Sequence, residues 1–171
     1  LIKFKLKKQK KIPSNVKGIK ENQVPPKELI QSIIDTFSSG QKKEAIAQID
    51  ALIKKHPLAP LLLNISGSFY KSNSQLDIAV MKFNQALALE PNYAEVHYNL
   101  GVTLRELGQI EEAINSYRNA LSIKNDHLNA HYNLGNALLS LKCYDAAIEH
   151  FESAVILNPK FAQAHNNLGL A

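Results

Sequence analysis

Three histidines stand 34 residues apart, at His97, His131 and His165, and three asparagines keep the same interval two residues later, at Asn99, Asn133 and Asn167. Imidazoles can ligate a metal or move protons, whereas carboxamides carry both donors and an acceptor and so suit a peptide bond. The interval itself weighs between these chemistries. His97-Tyr98-Asn99-Leu100-Gly101 recurs at 131–135 and, with one change, at 165–169, and a fixed period near 34 residues marks stacked helix–turn–helix units. Equivalent residues then sit on different helices, about 8–10 Å or more apart. That is too far for three imidazoles to share one metal at about 2.0–2.1 Å each. The histidines therefore read as packing rings at the junctions between units, and the asparagines as the better candidates for function. Cys143 has Lys142 beside it, which favours a thiolate, but no evident base, so it reads as an inert thiol.

Placing position 1 at Pro26, Pro60, Ala94, Leu128 and Ala162 aligns five units, 26–59, 60–93, 94–127, 128–161 and an interrupted 162–171. Position 8 is then Gly67, Gly101, Gly135 and Gly169, and position 20 is Ala45, Ala79, Ala113 and Ala147. Position 27 is Ala86, Ala120 and Ala154. Small residues at these points let two helices approach closely. Between them, large apolar residues recur at spacings of three and four, as in Leu100, Leu104 and Leu107 or Ile114, Tyr117 and Leu121, which predicts amphipathic helices. Gly40 and Gly108 at position 15 permit the positive φ that commonly caps a first helix. Pro57, Pro91 and Pro159 at position 32 end the second helix, and Asn125-Asp126 supplies turn chemistry where that proline is missing. The first unit departs from the pattern, with Ile33 at position 8 and Leu52 at position 27, as expected of an N-terminal cap. The expected fold is all-α, a solenoid of stacked antiparallel hairpins.

This pattern resembles the tetratricopeptide repeat over residues 26–171. The resemblance implies a right-handed superhelix whose first helices line a concave groove through positions 2, 5, 6, 9 and 12. On that implication Asn99, Asn133 and Asn167 at position 6 form a ladder similar to the one with which O-linked N-acetylglucosamine transferases bind extended polypeptide. Ile65 interrupts the ladder, with Asn64 a neighbouring substitute, and Tyr98 and Tyr132 at position 5 are aromatic contacts. The alternatives are amides that bond to a neighbouring helix and tyrosines that pack along the seam. Chaperone-binding members of the family clamp a terminal carboxylate with several cations. The corresponding residues here, Asn64, Ser68, Asn99, Asn129 and Asn133, carry no charge, and such a clamp needs it. The implied partner is a protein or peptide, with no cofactor.

The net charge of +5 is unevenly placed. Residues 1–25 hold eight lysines and one acid, whereas the rest holds twelve basic and fourteen acidic residues. The basic tail reads as disordered and has the chemistry to meet anionic lipid or a phosphate backbone, although a solubilising leader is the simpler account. The folded part, being mildly acidic, is not expected to bind nucleic acid. One cysteine fits a reducing compartment, and no secretory or membrane-spanning stretch is evident, so a cytoplasmic protein is expected. None of the phosphate-loop, zincin or nucleophile-elbow motifs occurs, so no catalytic, cofactor or metal residue is assigned. The chain starts at Leu1 and stops at Ala171 inside a predicted helix, which points to a segment of a longer product. A second reading follows from that: an N-terminal recruiting arm of a glycosyltransferase, sulfotransferase or oxygenase whose catalytic domain lies beyond residue 171.

Overall fold

The apolar spacings of three and four become helices throughout the computed structural model, which describes residues 25–171. The lysine-rich tail expected over residues 1–25 lies, apart from its last residue, outside the described residues. The helices are α1 (Lys27–Ser38), α2 (Lys42–Lys55), α3 (Pro60–Ser72), α4 (Leu76–Leu89), α5 (Ala94–Glu106), α6 (Ile110–Ile123), α7 (Leu128–Ser140), α8 (Tyr144–Leu157) and α9 (Ala162–Leu168). No strand occurs among the described residues. Each helix packs on its neighbours in sequence, and α5 also meets α3 and α7 directly. The result is an all-α solenoid, with the first helices of successive hairpins side by side.

The turn inside each hairpin is the same four times over. Position 15 takes a positive φ at Gly40 (92°) and Gly108 (77°), and also at Ser74 and Lys142, both 60°. The following N–H then donates five residues back, Gln41 to Thr36 (3.2 Å), Gln75 to Tyr70 (2.9 Å), Gln109 to Leu104 (2.9 Å) and Cys143 to Leu138 (3.0 Å). This is the six-to-one bond of a Schellman cap. A side chain in that left-handed conformation costs about 1–2 kcal/mol, which glycine avoids. Gly108 has open space where a Cβ would stand, so the backbone alone decides the outcome. Gly108→Ala is expected to lose about 1 kcal/mol, and Lys142→Gly to gain somewhat under ~1 kcal/mol once the freer unfolded chain is counted. Opposite shifts of the urea midpoint in the two variants would show it.

The turn between hairpins follows from proline. α2, α4 and α8 each end two residues before Pro57, Pro91 or Pro159, with the intervening His56, Glu90 and Asn158 at φ −128°, −135° and −143°. Steric conflict with the proline ring disfavours α geometry in that residue. Lys124 takes the same extended form, φ −134° and ψ 93°, ahead of Asn125.

Inside each hairpin the glycine at position 8 seats an aromatic ring at position 24. A Cβ on Gly67, Gly101 or Gly135 would stand 2.6–2.7 Å from the ring of Phe83, Tyr117 or Phe151, and those rings are fully buried. The first hairpin divides the same volume differently, with Ile33 (2% exposed) at the glycine position and Ile49 (0%) at the ring position. The departure of the first unit is thus an exchange of bulk between two helices. Tyr117 differs from its two phenylalanine counterparts by a buried hydroxyl, which Arg105 approaches. Burial falls into two clusters: Ile30, Ile33, Ala45, Ile49, Leu52, Leu62 and Phe69 form one. The other runs from Leu63 and Phe83 through Tyr117 to Phe151, so α3 is shared between them.

Candidate functional site

Position 6 faces the preceding first helix, and its carboxamides bond across that gap. Asn99 Nδ2 donates to Asn64 Oδ1 at 3.0 Å, Asn133 Nδ2 to the Tyr98 hydroxyl at 3.2 Å, and Asn167 Nδ2 to Asn136 Oδ1 at 2.6 Å. Asn64, Tyr98, Asn99, Asn133 and Asn167 are thereby brought into one row along α3, α5, α7 and α9. Asn136 joins it unforeseen, although one helical turn beyond Asn133 is the same face. All three donors sit on the C-terminal partner. Each bond uses one of a carboxamide's several hydrogen-bonding positions, so the row keeps capacity for a ligand. Asn64 is buried and also serves the Tyr93 hydroxyl, whose pKa burial raises and this bond lowers in part.

Tyr98 and Tyr132 lie half-buried at the seams between hairpins. The Tyr98 ring meets His127 at 4.7 Å and Tyr117 at 6.1 Å, and burial pushes its hydroxyl pKa up. The Tyr132 ring meets Phe161 at 4.9 Å and Phe151 at 6.0 Å. Tyr98 thus joins the amide row through its hydroxyl, whereas Tyr132 makes its ring contacts with Phe151 and Phe161. His127 adds a cap that the sequence reading missed: its Nδ1 accepts the Ala130 N–H at 3.3 Å, which leaves Nε2–H for Glu95 at 3.5 Å.

The repeated histidines act through a ring nitrogen. Nε2 reaches a backbone carbonyl six residues earlier in every case: His97 to Pro91 (2.9 Å), His131 to Asn125 (2.9 Å) and His165 to Pro159 (3.0 Å). A carbonyl only accepts, so Nε2 carries the proton. Each imidazole ties the first turn of its helix to the loop before it. Cys143 is exposed at the start of α8.

A second polar cluster, invisible to the repeat pattern, joins α2, α3 and α4. The Asp50 carboxylate accepts from Ser66 Oγ (3.1 Å), the Tyr70 hydroxyl (2.5 Å) and Lys82 Nζ (2.9 Å). Lys82 also stands 5.7 Å from the Tyr70 ring centroid. Burial raises the Asp50 pKa, but the bonds from Tyr70, Lys82 and Ser66 and the charge of Lys82 together outweigh it and the net shift is downward. The same carboxylate pushes Tyr70 up to about 12.

Stacked helix pairs with a polar row on their first helices define a repeat solenoid of the kind that presents one extended face. Within it, residues 82–161 carry tetratricopeptide repeats. The description "TPR repeat" matches residues 101–142, and "Tetratricopeptide repeat" matches 82–115 and 128–161. A search of the curated proteins found no significant match. Among solved structures, MamA from Desulfovibrio magneticus RS-1 shares 23% identity, with 84% of this chain and 81% of that one covered at a TM-score of 0.77. A tetratricopeptide repeat protein from Parabacteroides merdae shares 26%, over 82% of this chain and 56% of that one, with a TM-score of 0.75. The first such domain of Spaghetti (RPAP3), bound to an HSP90 peptide, shares 20% over 65% and 88%, with a TM-score of 0.64. No helix among the described residues is long and apolar enough to cross a membrane.

Proposed function

We propose that the solenoid binds an extended polypeptide along the face of its first helices, and that its work within residues 1–171 is binding without catalysis. The row of carboxamides at Asn64, Asn99, Asn133, Asn136 and Asn167 carries this reading, because it repeats one bivalent group at intervals along one face. Such groups can accept from and donate to a peptide backbone whatever its side chains. Tyr98, bonded into the row, and Tyr132, one repeat on, offer area at small entropic cost. The Spaghetti domain holds a peptide on a like fold. Here the uncharged residues at the clamp positions favour recognition of the backbone over a terminal carboxylate.

Asn133 can separate binding from architecture, because its N–H also supports Tyr98. Peptides returned by an array on the wild-type protein would be measured against two variants. Asn133→Ala is expected to weaken them about fivefold, the loss of roughly one hydrogen bond. Tyr98→Phe removes the same internal bond but keeps the carboxamide, and should cost similar stability with little loss of affinity. An array that returns no peptide, or equal affinity losses in both variants, rejects the proposal.

A further inference from the structure

One of the three repeated histidines has a partner that the other two lack. His131 Nδ1 stands 3.1 Å from His150 Nδ1, with ring centroids 5.4 Å apart. The same register in the preceding hairpin pairs His97 with Ser116, whose hydroxyl turns back to the Glu112 carbonyl at 2.9 Å. The arrangement at His131 is therefore an addition to the repeat, not a requirement of it.

From this geometry we propose that His131 and His150 form a two-nitrogen site for a divalent transition-metal ion, with zinc or nickel the fitting class. His131 is already oriented as a ligand, since Nε2–H is held by the Asn125 carbonyl at 2.9 Å and Nδ1 is left with its lone pair. A backbone carbonyl on the far nitrogen is a common way of fixing a ligating imidazole. Two nitrogens bound tetrahedrally at about 2.0–2.1 Å stand roughly 3.3–3.4 Å apart, so the pair needs to open by only a few tenths of an ångström. α7 and α8 pack against each other along their length and hold both rings on rigid elements. Imidazole is a suitable donor for zinc, nickel and copper.

The protons balance without an outside acid or base. Since His131 Nδ1 must accept, His150 donates Nδ1–H in the free pair. On metal binding that proton moves through solvent to His150 Nε2, and neither ring changes its charge. Burial first, then the neighbouring His131, lowers the His150 pKa. Arg118 on α6 lies near enough to oppose a cation, and Glu149 on α8 to favour one. No group of three or more His, Cys, Asp or Glu side chains among the described residues could hold a metal, so water completes the shell and the site is an open one.

Calorimetric titration of the full, metal-stripped chain with zinc chloride at neutral pH tests this. One saturable site is expected, weakening at least about tenfold in His150→Ser, because a lost ligand should cost no less than a lost outer-shell partner. His150→Ser installs the residue that the preceding hairpin carries in the same register, and an unchanged circular-dichroism melt without zinc confirms that it folds. His97→Gln, which removes an imidazole with no second imidazole beside it, should bind as wild type does. No saturable binding up to millimolar zinc, or equal binding in His150→Ser, overturns the proposal.

Discussion

Gly135→Ala is expected to destabilise the protein by about 3 kcal/mol, the upper part of the range for overfilled cores. The added Cβ would stand 2.6 Å from Phe151 Cε1, on a ring with no exposure. Ala147 and Ala154, on the same helix, are equally buried. Phe151→Leu alone should also destabilise, by leaving a void where ring atoms stood. The two changes together should cost clearly less than their sum, since each removes the other's defect. The first hairpin already shows a branched aliphatic at both places, Ile33 and Ile49. Urea denaturation of the four proteins gives the coupling, and strictly additive losses would mean that the glycine serves something other than its ring.

Asp50→Asn should lose about 1–2 kcal/mol at neutral pH. Charged hydrogen bonds contribute about 1.5–3 kcal/mol each at best, and the partial exposure of both partners, 14% for Lys82 and 28% for Asp50, discounts that. The loss depends on pH in a definite direction. The folded carboxyl binds its proton less tightly than the unfolded one, whose ordinary value is 3.8. Its contribution is therefore complete above that value and fades as acid titrates the folded group. The gap in stability between wild type and variant should be constant near neutrality and close only below about pH 4. A gap that changes between pH 6 and 8, where histidine titrates (about 6.5), would assign the effect to another group.

Most of the fold was legible because the period converts weak local preferences into repeated ones. Gly67, Gly101 and Gly135 mark close approaches, and Pro57, Pro91 and Pro159 mark helix ends, each in phase. The left-handed turns at Ser74 and Lys142 were not legible, because neither residue type favours that conformation; the cap's hydrogen bond imposes it. The amide row was legible at position 6, where one residue type repeats. Asn136 was not, as position 9 holds Ser68, Val102, Asn136 and Leu170 with no common chemistry. The Asp50 cluster was hidden for a related reason. Asp50, Ser66, Tyr70 and Lys82 come from three helices, and no other hairpin repeats the set. The pairing of His131 with His150 likewise needed the packing of α7 on α8.

The two buried clusters meet at α2 and α3: Ile53 of α2 touches both, and Asp50 of the same helix reaches across to Lys82. Repeat arrays carry their interactions only between neighbours. Under tension applied along the stack, the junctions therefore share one load in series, and the weakest yields while the others stay closed. The knot of Asp50, Tyr70 and Lys82 is the rivet at the first such junction. Were that junction to open, α1 and α2 would leave together, and Leu62 and Phe69, which complete their cluster from α3, would lose their cover.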